Sequence, residues 1–356
     1  MIRLAQIAFA FLTISPILFS GCKTDFSLNG EYSITPVVFG LLDQNESVHM
    51  IKITKAFLGE GNNLVYAQNP DSNYFNQVDA RIIEYIDGDP TNREWVLRDS
   101  IIPNKSTDGV FYAPEQKVYV FYASDLNEFG EYELVADLNE GQHQIKARTG
   151  LIREFDVSSS LSINSYTVSF AKSSPELDED YLSWSIDVFE GYNAGQYDHK
   201  LIIDWTEYYI DGTSQKFTME KTESSQIQDK PSKPGTHKAI FSGLDFYKWI
   251  EGGIPDDENV ERRVLDNLTL KIAAAHEDLA TYIDVSKPVT TIGQVQPTYT
   301  NIENGLGLFS SRLVYKRSDL ILSKSSRREL CQGQYTLSKK FCSDYSTDFS
   351  EAWYCP

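Results

Sequence analysis

From about Glu31 to residue 152, apolar and polar positions alternate in short runs separated by turn residues. Residues 48–55 mix the two classes over strand length, 78–86 alternate through Val78, Ala80 and Ile82, and 94–98 follow the turn signal Asp87-Gly88-Asp89-Pro90. The same pattern continues through 117–122 and 131–138, and through 142–149 after the turn at Gly141. A period of two sends successive side chains to opposite faces, so each run predicts a half-buried strand. Strands at this spacing predict a β-sandwich of the immunoglobulin-like kind over residues 31–155. Within it, residues 59–75 read as a long irregular loop with interspersed aromatics. Such loops are disproportionately functional, so Tyr66, Tyr74 and Phe75 are candidate ligand or partner contacts, stiff rings giving contact area at small entropic cost.

The register changes at Ser158-Ser159-Ser160, which places a domain boundary near residue 155. Beyond it, residues 166–170, 181–189, 200–210, 216–220 and 268–275 are strand-like, with a hairpin turn at Asp211-Gly212. Residues 226–237, rich in Lys, Ser, Pro and Gly, read as a surface loop, and 244–251 as a short helix stopped by Gly252-Gly253. The expectation is a mainly β chain of two sandwich domains. The second, 156–324, carries one or two short helices and is followed by a cysteine-containing tail, 325–356.

The N-terminus has a different pattern. Arg3 precedes a nearly unbroken apolar run over residues 4–19, and Ser20-Gly21-Cys22 follows. One early positive charge, an apolar stretch shorter than the roughly 20 residues of a spanning helix, and small residues before a cysteine are the layout of a bacterial lipoprotein signal. Residues 1–21 are then a cleaved signal peptide, Cys22 the lipidated residue, and 22–30 a tether. Phe19 departs from the leucine usual three positions before that cysteine. Acyl chains at about 0.8 kcal/mol per buried methylene would hold the body on a membrane.

Charge and chemistry narrow the function further. A net charge of −19 argues against nucleic-acid binding, which needs basic patches, and against close approach to anionic head groups. Of the four cysteines, Cys331 and Cys342 are the expected disulfide in an oxidising compartment, with Cys342–Cys355 the second choice. The five histidines stand singly and read as packing or surface residues. The acidic stretches at 176–180 and 256–258 lack the ligand spacing of a calcium loop. No nucleophile elbow, phosphate loop or His-Glu-x-x-His motif occurs, so no catalytic residue, metal or cofactor is expected.

The segment Tyr299-Thr300-Asn301-Ile302-Glu303-Asn304-Gly305-Leu306-Gly307-Leu308-Phe309 resembles the C-terminal signature of an uncharacterised lipoprotein family of Bacteroidetes outer membranes, in which a glycine stands where this chain has Asn304. Val37-Val38-Phe39-Gly40-Leu41-Leu42 and residues 48–57 resemble the family's opening strands. The resemblance implies an outer-membrane location, with the cell surface and the periplasmic face as open alternatives, and an accessory role beside a TonB-dependent receptor. It brings no binding residues with it. From the residues alone, Gly305 and Gly307 read as backbone turns or close approaches, with Ile302, Leu306, Leu308 and Phe309 burying the segment. The function expected is a non-catalytic binding or accessory module with an unidentified ligand. A structural or assembly protein of the envelope is the alternative, and a polymer hydrolase the more remote one.

Overall fold

A computed structural model describes residues 34–56, 63–103, 106–109, 112–139, 141–158, 167–172, 180–230, 232–288 and 298–356. Cys22 lies outside the described residues, as do Glu176, Asp178 and Glu179. The chain is mainly β, in several sheets and without a closed barrel. In order, the strands are β1 (Thr35–Leu42), β2 (Val48–Ala56), β3 (Val78–Ile86), β4 (Asp89–Val96), β5 (Arg98–Ile102), β6 (Gln116–Tyr122), β7 (Glu131–Leu138), β8 (His143–Gly150), β9 (Asp156–Val157), β10 (Thr167–Val168), β11 (Ser183–Phe189), β12 (Ala194–Tyr209), β13 (Ser214–Ile227), β14 (Thr236–Ser242), β15 (Val260–His276), β16 (Leu306–Leu322) and β17 (Phe341–Cys342). Five α-helices accompany them among the described residues: α1 (Asn63–Ala67), α2 (Pro70–Asn73), α3 (Gly243–Gly253), α4 (Glu277–Ser286) and α5 (Lys324–Gln332).

One ten-stranded sheet joins strands from both halves of the described chain in the order β13-β12-β15-β16-β1-β2-β6-β5, with β10 on β16 and β17 on β15. Its N-terminal part faces the four-stranded sheet β4-β3-β7-β8, and β14-β11-β9 forms a third sheet. Alternation decides which faces meet. Along β3, Ala80, Ile82 and Glu84 point inward, while along β1 Val38 and Leu42 do so. The apolar ones among these join Ile51, Phe121, Leu134 and Ile145 in one core. The second core lies on the long strands β12 and β15, with Tyr197, Leu201, Ile203, Leu270 and Ile272 packed against Phe170, Phe241, Phe246 and Tyr247. The chain passes from one core to the other between Leu151 and Ile152, but Ile302 and Phe309 return to the first.

That return is made by β16. Leu306–Ser311 pairs in parallel with β1, whereas Arg312–Leu320 pairs antiparallel with β15, so a single strand stitches the two halves together. The preceding segment is built for the join. Asn301 holds the Phe309 backbone from both sides, its amide donating to the Phe309 carbonyl at 2.7 Å and its side-chain oxygen accepting from the Phe309 amide at 3.0 Å. Asn304 has φ +58°, a left-handed conformation that asparagine tolerates and glycine enters freely. Leu306, expected inside, is instead exposed, because the strand's period turns it to the outer face.

At the start of β7, the Tyr132 hydroxyl accepts from the Asn127 amide at 2.7 Å and donates to Glu84 at 3.1 Å, pinning the preceding corner to the core. Glu84 is buried, and accepts also from Arg93 at 3.0 Å and Thr91 at 3.0 Å, so its charge is compensated. Residues 324–356 complete the second core with Leu330, Cys331, Phe341 and Trp353. Two buried arginines fasten this region. Arg327 meets Asp348 through Nε at 2.6 Å and Nη2 at 3.0 Å, and Arg263 donates to Glu207 at 2.7 Å and to the Lys339 carbonyl at 2.8 Å.

The structure corrects the expected disulfide. Cys342 pairs with Cys355, and Cys331 is a free thiol on α5, buried in the second core, where burial pushes its pKa up to about 12. The helix turns Cys331 inward among apolar side chains, while Cys342 on β17 lies beside the chain end, whose Cys355 amide donates to the Ser343 carbonyl at 2.9 Å.

Candidate functional site

The stretch expected to be an irregular contact loop is largely helical. Asn69 caps α2 by accepting from the Asp71 amide, and Pro70 opens the helix with a pre-set φ. Tyr66 is half-buried on α1. Tyr74 is half-buried too, its hydroxyl accepting from the Lys117 amide at 3.2 Å. Phe75 is 2 % exposed in the first core, with Lys55 Nζ 5.9 Å from its ring centroid. Phe75 is therefore a packing residue and not a contact. The residues that α1 presents to solvent are Leu64 and Val65.

An open apolar surface lies elsewhere, on the outer face of the shared sheet. β1 is apolar on both sides: Val38 and Leu42 enter the core, and Val37, Phe39 and Leu41 face out. The register places Leu306 opposite Val37, and Tyr122 opposite Val48. Phe39, Val48, Met50 and Leu306 are 40, 38, 48 and 48 % exposed. Helix α4 covers part of this face, with Tyr282 meeting Phe39 edge-on at 5.9 Å between ring centroids. Between helix and sheet lies a cleft of about 550 Å³, lined by Phe39, Met50, Leu279, Tyr282 and Leu308, with Asp43 and Arg312 at 3.5 Å as its ion pair. The helix comes this close because Gly195 on β12 has no side chain, and a Cβ there would meet Ala280 at 2.8 Å.

A second cleft, of about 600 Å³, is polar and lies between the end of β8 and the start of α4. His276 caps α4, its Nδ1 accepting from the Asp278 amide at 3.3 Å, and burial lowers its pKa. Tyr299 donates to Asp278 across the same helix start.

Spacing alone does not reveal that two of the scattered histidines meet. His199 on β12 and His237 on β14 belong to different sheets, yet their Nε2 atoms are 2.9 Å apart. Glu190 lies 3.0 Å from His237 Nδ1; in the tautomer in which a neutral His237 donates to it, His237 Nε2 accepts and His199 Nε2 donates. In that arrangement His199 Nδ1 accepts from the Ser224 hydroxyl at 2.8 Å. A bulge between His199 and Lys200 sets this geometry. Burial, reinforced by the neighbouring His237, lowers the His199 pKa to about 4. Such an imidazole is a weak base near neutrality, where a general base works best with a pKa near the operating pH. With every nitrogen partnered, the chain of bonds reads as a tie between layers.

A stability consequence follows from its sign. Between pH 6.5 and about 4 the unfolded chain takes up a proton on His199 that the folded chain refuses, so stability falls as pH falls through that window. The loss amounts to roughly 3 kcal/mol at most. In urea titrations, His199→Gln should flatten this dependence by close to one proton relative to the parent; equal slopes for the two would contradict it.

Among the described residues, no group of three or more His, Cys, Asp or Glu is arranged to hold a metal ion, and no helix is long and apolar enough to cross a membrane. Asp180 pairs with Lys172 at 3.1 Å and Asp256 with Lys339 at 2.8 Å, so these acidic residues already serve ion pairs. The chain matches no protein-family model and no curated protein.

Proposed function

We propose that this chain is a lipid-anchored extracytoplasmic protein of the outer membrane and acts as a non-catalytic binding or accessory module beside a TonB-dependent receptor. The layout of residues 1–22 and the likeness at 37–42 and 299–309 support the setting. The observation that carries the binding role is the outer face of the shared sheet. A strand apolar on both sides calls for cover on both, and among the described residues Phe39, Val48, Met50 and Leu306 have little beyond α4. Contiguous apolar surface of this kind on a soluble body marks an interaction site.

The N-terminal half also supports an immunoglobulin-like reading. Layers ordered β5-β6-β2-β1 and β4-β3-β7-β8 follow the D-E-B-A and C′-C-F-G order of that fold. Tyr132, at the start of the strand equivalent to F, makes the backbone bond of a tyrosine corner. The second half, with its longer strands and helices, has no matching order, and the reading stops at the first.

The test is a mild-detergent pull-down of the tagged, lipidated chain from its native envelope, beside a Met50→Asp variant. Near-equal recovery of a TonB-dependent receptor with the parent, and its loss with the variant, is the expected result. A parent that brings down no receptor sinks this reading. A parent that retains only other envelope proteins of fixed stoichiometry favours the structural role, which would use the same face.

A further inference from the structure

The polar cleft holds two arginines whose commitments differ. Arg148 is engaged by Glu131 at 3.4 Å and Glu133 at 3.3 Å, and its Cζ lies 3.8 Å from the Tyr85 ring centroid. Arg153 makes no side-chain hydrogen bond or ion pair among the described residues, and its Nε is buried without a partner. Its Cζ instead lies 5.3 Å from the Phe129 ring centroid and 5.1 Å from that of Tyr192. Contact with aromatic rings occupies the faces of a guanidinium and leaves its N–H edge unspent. The backbone beneath is fixed by reciprocal bonds with Tyr192, at 3.2 and 2.9 Å. A stiffly mounted cation with no ion-pair partner among the described residues lines a cleft of about 600 Å³.

What would satisfy Arg153 is an anion with two parallel acceptors. The other walls of the cleft decide which anion. Asp87, Glu128 and Glu277 line it without an ion pair among the described residues, and Asp278 lines it beside them. A phosphate with its double charge would face these carboxylates with a single uncommitted cation in its favour. A monoanion that carries its own positive group would be attracted by both kinds of wall. The cleft is also of the size that takes small-molecule ligands and is much larger than a free amino acid. We propose that this cleft binds a short peptide with free termini, its carboxylate on Arg153 and its ammonium among the carboxylates at Glu128 and Glu277.

The site does not depend on the receptor reading, since the pull-down could fail while the peptide still binds. The test is titration calorimetry of the full lipidated chain in detergent, with trialanine as the probe. N-acetyl-trialanine, trialanine amide and inorganic phosphate serve as comparisons. Trialanine is expected to bind, and amidation of its C-terminus or Arg153→Gln should each weaken binding at least about tenfold. Glu277→Gln, which leaves Arg153 in place, should weaken trialanine but not its acetylated form, a split that a merely structural role would not produce. Thermal melts establish that each variant folds. No heat with trialanine at millimolar concentration, unchanged affinity in Arg153→Gln, or phosphate binding as tightly as trialanine would each overturn the proposal.

Discussion

Gly307→Ala is expected to cost more than about 3 kcal/mol of stability, through strain at a forbidden φ added to a steric clash. Gly307 has φ +108°, and a Cβ built on it would be driven into the Val38 carbonyl oxygen of the neighbouring strand. The two residues are partners in the parallel register of β1 and β16, so relief would require the strands to part where they join the two halves. Gly252→Ala is the control, because nothing lies within 4 Å of a Cβ at that helical position. Urea midpoints for the two variants measure the difference. A Gly307→Ala loss within about 1 kcal/mol of the control would show that the strands can move apart cheaply.

Arg263→Met should be comparably damaging, at roughly 3 to 5 kcal/mol, for an electrostatic reason. Arg263 is 1 % exposed, and it is the partner that neutralises Glu207, whose carboxylate is likewise buried and also accepts from Tyr209 at 3.0 Å. Removing the guanidinium leaves a buried negative charge, and it also strips a donor from the carbonyls of Lys339 and Pro255. Replacing both members removes the uncompensated charge, so Arg263→Met combined with Glu207→Gln should recover a large part of the loss. Thermal and urea unfolding of the single and double variants test this. A double variant no more stable than the single would mean that the carbonyl bonds, and not the charge, dominate.

The strands that were legible in the sequence are those whose burial is decided by their own alternation. Residues 78–86 and 131–138 emerge with the limits that the pattern predicts, and the Asp211-Gly212 turn joins β12 to β13 with Gly212 at φ +84°. The long strands were read short for local reasons. β12 begins at Ala194-Gly195-Gln196, which has no β-branched residue, because a close helix requires the glycine. β15 begins with Val260-Glu261-Arg262-Arg263, of which the charged three read as surface until a distant carboxylate is known to bury Arg263. Helix α5 hides for the same reason. Lys324-Ser325-Ser326-Arg327 shows no apolar stripe, and the helix is held by polar partners, with Arg327 on Asp348 and Tyr181 donating to Glu329 at 2.6 Å. The cysteine pairing and the His199–His237 contact depend on which elements become neighbours, and chain spacing does not encode that. Neither cleft was visible either, since each draws its walls from strands and a helix far apart in the chain.

The pairing of β1 with β16 also fixes an order of events. The partner of Val37 is Leu306, so β1 waits for the chain to be made as far as β16 before that edge is satisfied. Phe309 and Ile302, which close the first core, arrive equally late. Until then β1 presents unpaired backbone and two apolar faces, the combination most open to off-pathway association, and contacts so distant in sequence form slowly. A body built in this way has its greatest need for a holding chaperone early in synthesis and loses that need only when residues near 311 have been made.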